Sequence, residues 1–257
     1  LGRYSQASEL KLLDVCFGLG YNSASVMHAL PQTSSPRIQW WGLEVDPRPL
    51  KWALGQQPFC DLWTGVVLHR LEQLHRNGSW RDGGGQGTML WGDARQNLKA
   101  LPSNYQPDLI LMDAFSPGHC PQLWSEEFLR ALARRLAPGG RLLTYCSAAA
   151  VRSSLRRAGL TLRSLLPAAR HRIEWSSGTL AVKPHNTDSL AMEGPGWTVL
   201  SAMEEEHLNT RASVPYRDPE GVDKAGSIHR RREREQQSCD LESTSAWQRR
   251  WALKRRN

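Results

Sequence analysis

Segment 107–114 constrains the fold more than any other stretch of the chain. Its centre, Leu109-Ile110-Leu111-Met112, is an unbroken apolar run rather than an alternating one. A strand of that kind has to be covered on both faces, as parallel strands flanked by helices are. The run then stops at Asp113-Ala114-Phe115-Ser116-Pro117. These residues build sites better than strands: the acid can hold a nucleophile, the ring can cover a flat group, and the proline stiffens the turn.

The rest of the chain repeats the alternation. Further strands are predicted at 11–17, 37–45, 88–91, 141–146, 161–166 and 173–182. Helices are predicted at 22–30, from Pro47 onward, and at 59–76, 94–101, 124–136 and 148–158. Proline suits a first helical turn, and Ala137-Pro138-Gly139-Gly140 is a strong stop. The glycine-rich stretch 81–87 precedes a strand and has no Lys-Ser/Thr after it, so it reads as a flexible loop rather than a phosphate cradle. Strands alternating with helices imply an α/β fold, a mostly parallel sheet with helices on both faces. Such sheets bind ligands beyond the carboxyl ends of their strands, near the switch in strand order. The chemistry is therefore expected just after Phe17, Val45, Trp91, Met112 and Thr144.

Unusual residues stand at those places. Gly18 and Gly20 follow the first strand and permit close backbone approach to a ligand, although two glycines also fit a plain turn. Glu44 ends the second strand and can accept hydrogen bonds from ribose hydroxyls. The other reading is a helix cap, which fits Asp46 better than Glu44. Asp93 follows the third strand and suits an adenine amino group, or the cap of the helix opening at Ala94; the two roles are compatible. A glycine turn and two acids at consecutive strand ends point to a nucleoside cofactor. There is no Walker sequence and no Gly-x-Ser-x-Gly elbow, which argues against a nucleotide triphosphatase and against a hydrolase of that type.

The 257 residues fit one large domain, or one domain with an appendage. With 40% apolar residues and a mean hydropathy of −0.52, and no apolar run near the ~20 residues that cross a bilayer, no membrane association is expected. No signal peptide is visible. The chain starts at Leu1, so a fragment or a late start is expected. Five cysteines, an odd number without a CxxC pair, suit a reduced, cytoplasmic compartment. His119-Cys120 lacks a partner pair at ligand spacing, so no metal is expected.

A net charge of +8 and a pI of about 9.6 invite a polyanionic partner. Between Arg130 and Arg172 there are ten arginines and no Asp or Glu. The planar arginine fork suits phosphate, which favours nucleic acid over the alternative of solvated helix faces.

Four segments together resemble the MnmC-type tRNA wobble-uridine methyltransferases. They are Leu-Asp-Val-Cys-Phe-Gly-Leu-Gly-Tyr-Asn at 13–22, Trp-Gly-Asp at 91–93, Asp-Ala-Phe-Ser-Pro-Gly-His-Cys-Pro-Gln-Leu-Trp-Ser at 113–125, and Leu-Thr-Tyr-Cys-Ser-Ala-Ala-Ala-Val-Arg-Ser-Ser-Leu-Arg-Arg-Ala-Gly at 143–159. The resemblance covers roughly 12–183, and the 113–125 block is its specific part. It implies a Rossmann-like methyltransferase with its last strand antiparallel. It implies methyl transfer from S-adenosylmethionine to the aminomethyl group of 5-aminomethyl(-2-thio)uridine at tRNA position 34.

Under that resemblance Asp113 is the catalytic acid. Asp14, Gly18, Gly20, Asn22, Glu44 and Asp93 form the cofactor side, with Gly18, Gly20 and Asn22 at its methionine end. Phe115, Pro117, Trp124, Tyr145 and Arg152 form the substrate side. By its own chemistry Phe115 either stacks on a base or packs in the core. Members of the family carry sequence ahead of the glycine strand, and bifunctional relatives carry a flavin oxidase half; this chain has almost none of the first and no fingerprint for the second. The stand-alone methylating form is therefore implied, dependent on a separate enzyme that makes the aminomethyl group.

A methyltransferase domain is expected over 1–184 and an extension over 185–257. The extension carries a basic helix at 228–256 with Trp247 and Trp251 one turn apart. Its few apolar residues favour a solvated, partly ordered appendage over a tRNA-gripping arm. Two other functions fit the acids at the strand ends. One is an aminopropyl- or methyltransferase acting on a small amine, which an arginine surface would repel. The other is a non-catalytic tRNA-binding relative.

Overall fold

In the computed structural model, residues 4, 7–30, 36–167, 177–185 and 193–252 are described. The chain divides into two units, Leu1–Asp113 and Ala114–Asn257. The first is organised around β1 (Glu9–Val15), whose Leu10, Leu12, Leu13 and Val15 are fully buried. β1 is flanked by β2 (Arg37–Glu44) and β5 (Leu109–Met112) and runs parallel to both, with Leu12 opposite Trp40 on one side and Leu109 on the other. β4 (Gly85–Trp91) continues in parallel beyond β2, and β3 (Ser79–Asp82) closes the edge antiparallel to β4. The order β3-β4-β2-β1-β5 leaves β1 with successors on opposite sides, so the switch point lies at the carboxyl ends of β1 and β5. The helices of this unit are α1 (Tyr21–His28), α2 (Arg48–Leu54), α3 (Gln57–Cys60), α4 (Gly65–Asn77) and α5 (Ala94–Ala100).

Two expectations change here. The single helix predicted at 59–76 is the pair α3 and α4, because Thr64 is extended (φ −64°, ψ 154°) and α4 restarts at Gly65. The loop predicted at 81–87 is mostly strand. Gly83-Gly84 make a tight turn between β3 and β4, and Arg70 of α4 grips Asp82 at 2.7 and 2.9 Å. Gly87 serves close approach: a Cβ there would lie 2.1 Å from Nε1 of Trp80, whose indole covers it.

In the second unit β8 (Gly178–Val182) lies between β6 (Arg141–Thr144) and β7 (Thr161–Leu165) and is antiparallel to both. β10 (Trp197–Thr198) and β9 (Glu193–Gly194) follow β7. Residues 173–176 of the predicted strand 173–182 lie outside the described residues. The helices are α6 (Glu126–Arg135), α7 (Ala149–Arg157), α8 (Ala202–His207), α9 (Ala225–Ser238) and α10 (Thr244–Arg250). The architecture is Rossmann-like, with mostly parallel strands in the first unit, helices packed around them, and antiparallel strands toward the C terminus.

The arginine-rich stretch is not the unbalanced surface its local sequence suggests. Arg152 is 1% exposed and donates to Glu204 at 2.8 Å, Thr179 at 2.9 Å and the Gly178 carbonyl at 3.0 Å. Arg156 pairs with Glu205 at 2.8 Å, and Arg157 and Arg130 share Glu126 at 2.8 and 3.3 Å. The balancing acids come from the first turn of α6 and from α8, both outside the stretch. Arg170 and Arg172 lie outside the described residues.

The extension is packed as well. The helix predicted at 228–256 is broken into α9 and α10, with Ser243 capping α10; residues 253–257 lie outside the described residues. Ile228 and Trp247 are buried. Trp247 stacks on His207 with ring centroids 4.3 Å apart, and burial pushes that imidazole down to about 4. Trp251 donates to Glu206 at 2.9 Å. Residues 114–184 and the extension fall in the same unit, and ion pairs such as Arg152–Glu204 and Arg217–Glu127 join the two stretches.

Candidate active site

The turn after β1 is built on left-handed backbone, with φ of +66° at Cys16, +57° at Gly18 and +93° at Gly20. The two glycines differ. A Cβ on Gly20 would meet the Phe17 ring at 2.8 Å, whereas on Gly18 the nearest atom, the Cys16 carbonyl oxygen, is 3.9 Å away. The backbone at Gly18 is therefore open to approach. Its amide donates to Glu44 Oε2 at 2.9 Å, and Glu44 Oε1 accepts from the amides of Val45 (2.6 Å) and Asp46 (3.0 Å). Three backbone donors thus hold one carboxylate at the carboxyl end of β2, and carboxylate lone pairs remain for a further donor.

Asp46 accepts from the Arg48 amide at 2.9 Å and pairs with its guanidinium, which holds the Asp46 carboxyl below its ordinary range. Asp93 caps α5 through the Arg95 amide at 2.9 Å. Partial burial works against the charged form of Asp93, but hydrogen bonds and charge from Arg95 outweigh it and lower its pKa. The capping reading holds for Asp93, whereas the N-cap of α2 is Pro47 with no side-chain bond, and exposed Asp93 remains accessible at the end of β4.

Asp14 sits elsewhere than expected. It is wholly buried, with Oδ2 accepting from the Ser23 hydroxyl at 2.5 Å while Ser23 accepts from Trp40 Nε1 at 2.7 Å. Burial pushes its carboxyl up to about 7; the Ser23 bond opposes this, and the nearby Asp113 and Glu44 charges add to it. Direct cofactor contact is corrected to a structural role that ties α1 to β1 and β2.

Asp113 is exposed at the end of β5, and its amide continues the pairing with β1 by donating to Val15 at 3.1 Å. Its Oδ2 accepts from Asn22 Nδ2 at 2.7 Å. Asn22 stands in the first turn of α1, directly after the glycines. Its side chain, expected at the methionine end of the cofactor, donates to the acid. The carboxylate is thereby oriented by one oxygen, and Oδ1 is left for an N–H donor.

In the second unit Phe115 is 83% exposed, which removes core packing as an account of it. Tyr145 donates its hydroxyl to the Ala114 carbonyl at 2.8 Å, and Trp124 donates Nε1 to the Phe115 carbonyl at 2.6 Å. Trp124 and Pro117 are buried. Trp124 therefore supports the loop from behind and does not face a substrate. Arg152 is corrected in the same way: enclosed by Glu204, Thr179 and Gly178, it has no surface to offer a ligand.

Sequence reasoning passed over Val45, which is 72% exposed at the end of β2 beside Glu44. Its signal was an apolar residue between two acids just past a buried strand. Among the described residues no group of three or more His, Cys, Asp and Glu could hold a metal ion, and no helix is long and apolar enough to cross a membrane.

Residues 61–180 match a family described as S-adenosyl-L-methionine-dependent methyltransferases. The chain is 28% identical over 181 residues to the tRNA 5-methylaminomethyl-2-thiouridine biosynthesis bifunctional protein MnmC of Delftia acidovorans, covering 66% of this chain and 28% of that protein. The protein of the same name from Pseudomonas savastanoi pv. phaseolicola is 28% identical over 195 residues, covering 72% of this chain and 29% of the relative. The chain thus spans under a third of the length of these curated relatives. Among solved structures, MnmC2 of Aquifex aeolicus superposes with a TM-score of 0.72 at 22% identity, over 93% of this chain and 71% of that one, a likeness of fold.

Proposed function

We propose that the chain carries an S-adenosylmethionine-dependent methyltransferase domain of the MnmC type and that it methylates the aminomethyl group of 5-aminomethyl(-2-thio)uridine at position 34 of tRNA. The observation that carries this reading is the Asp113 carboxylate, exposed at the strand switch with one oxygen fixed by Asn22. The observed ion pairs weaken the argument from arginine charge, so the choice of tRNA over a free small amine rests on the relatives. A cytoplasmic location and a separate enzyme that makes the aminomethyl group belong to the same proposal.

The open backbone at Gly18 and the preset Glu44 carboxylate fit S-adenosylmethionine. Glu44 would take the ribose hydroxyls, with Val45 and Asp93 beside the adenine. When bound, S-adenosylmethionine supplies a methyl group on a sulfonium. Asp113 Oδ1 would hold an N–H of the substrate amine, direct its lone pair, and stabilise the cation that develops on nitrogen. A primary alkylamine is mostly protonated near neutrality, by analogy with lysine near 10, so it must release a proton to solvent before its lone pair can attack the methyl carbon. Most of the remaining rate comes from alignment in an in-line displacement. Phe115, 83% exposed, would stack on the uracil.

The direct test is mass spectrometry of position-34 nucleosides after incubation with aminomethyl-bearing tRNA and S-adenosylmethionine. Appearance of 5-methylaminomethyl(-2-thio)uridine supports the proposal. Turnover of a free polyamine without tRNA would replace it.

Two variants probe the assigned residues. Glu44→Gln is expected to weaken S-adenosylmethionine binding by about 10- to 100-fold in calorimetry, the loss of one or two charge-assisted hydrogen bonds. An unchanged dissociation constant would take the ribose away from Glu44. Phe115→Ala is expected to raise the KM for tRNA by about 5- to 100-fold, since base–aromatic stacking contributes about 1–3 kcal/mol. The melting temperature should hold, because the ring is exposed. An unaltered KM would remove the stack.

A further inference from the structure

We infer that His229 on α9 is a positioning residue for the loop that presents Phe115, which brings the C-terminal extension into substrate recognition; this rests on the reaction proposed above. His229 Nε2 lies 3.1 Å from the Gly118 carbonyl oxygen, a contact across 111 residues of sequence. A carbonyl only accepts, so Nε2 carries the hydrogen here.

The contact completes a set. The Ala114 carbonyl takes the Tyr145 hydroxyl, and the Phe115 carbonyl takes Trp124 Nε1. The Ser116 carbonyl takes the amides of His119 (2.8 Å) and Cys120 (2.9 Å). With Gly118 held by His229, the carbonyls on both sides of the exposed ring are engaged. A large ring left in water tends to fold back onto apolar surface, and the clamped backbone opposes this. A ring already set in place loses less conformational freedom when it binds.

α9 is itself firmly seated. Ile228, next to His229, is fully buried. Arg232 donates to the Val214 and Ala212 carbonyls at 2.8 and 3.0 Å, and its guanidinium lies 4.5 Å over Tyr216. Tyr216 in turn meets the His229 ring edge-on at 5.9 Å and accepts the Glu126 amide at 2.9 Å. The extension therefore reaches the loop through a braced element, and His229 is its point of contact with Gly118.

The test is steady-state methyl transfer with tRNA as the varied substrate, for wild type, His229→Ala and His229→Gln. Glutamine replaces the lost Nε2 donor. His229→Ala is expected to raise the KM for tRNA by about 5- to 20-fold with kcat within about threefold, the pattern of lost uniform binding. S-adenosylmethionine affinity should be unchanged in calorimetry. His229→Gln should restore KM, and hydrogen exchange of 114–120 should accelerate in the alanine variant only. An unchanged KM in His229→Ala overturns the inference. So does equal loss in His229→Gln, or a joint fall of kcat, cofactor affinity and melting temperature that marks general damage. A wild type that transfers nothing to aminomethyl tRNA sinks the proposed function and this inference together; an active wild type with an indifferent alanine variant sinks this inference alone.

Discussion

Asp113→Asn is expected to bind S-adenosylmethionine as the wild type does and to lose turnover by about 10²- to 10⁴-fold, the range for removing a positioned proton acceptor. Asparagine keeps the shape of the side chain and can still accept from Asn22 through its Oδ1, so the site should remain assembled. What it loses is the charge that holds the amine and stabilises the cation forming on nitrogen. Because that charge acts on the reacting atoms, kcat and kcat/KM should fall together rather than KM rise alone. Asn22→Ala makes a graded companion: the carboxylate stays but its orientation is released, so the fall should be smaller. Single-turnover transfer measured beside calorimetry checks both. Turnover within a few-fold of wild type in Asp113→Asn would remove the acid from the mechanism.

Arg152→Met should be the most damaging change away from the strand ends. It leaves the Glu204 carboxylate, itself buried, without its cation, and breaking a buried pair by removing one partner costs about 3–5 kcal/mol. For a chain of this size that is a fall in melting temperature of roughly 6–20 °C. The double change Arg152→Met with Glu204→Gln should recover much of the loss, since the orphaned charge is gone. Burial by itself would raise the Glu204 carboxyl; the Ser201 amide, the Arg152 guanidinium and the Ser164 hydroxyl outweigh it and bring the group down from 4.5 to about 2. A depressed folded-state value means the stabilisation is complete above 4.5 and is lost as pH falls from 4.5 toward 2. At 1.36 kcal/mol per unit this acid limb is worth about 3 kcal/mol, and Glu204→Gln should flatten it in a pH series of denaturant unfolding. A single variant as stable as the wild type would show the pair to be idle.

Much of the first unit was legible locally. Leu109–Met112 is an unbroken apolar stretch that reads as a covered strand, β1 interleaves its buried Leu10, Leu12, Leu13 and Val15 with Lys11 and Asp14, and the acids and glycines just past the strands stand out because they serve no core. The errors share one cause. The 81–87 stretch looked like a loop because glycine is common in loops; in the fold Gly87 lies under Trp80, a cross-strand contact that local composition does not encode. The helix predicted across 59–76 kept its period but not its continuity, since Thr64 turns the chain. Asp14, next to the glycine motif in sequence, is wholly buried against Ser23 of α1, a contact that local composition does not encode.

The order of strands and helices, the glycine turn and the acids at the strand ends were determined by the sequence alone, because periodicity and chain-breaking residues act over a few positions. Tertiary structure decided what each charge does. Glu204 meets Arg152 across 52 residues and Asn22 meets Asp113 across 91, and no local pattern signals such pairs. Whether a charged group serves the interior or the solvent is set by what the rest of the chain brings beside it, since a buried charge survives only with a partner.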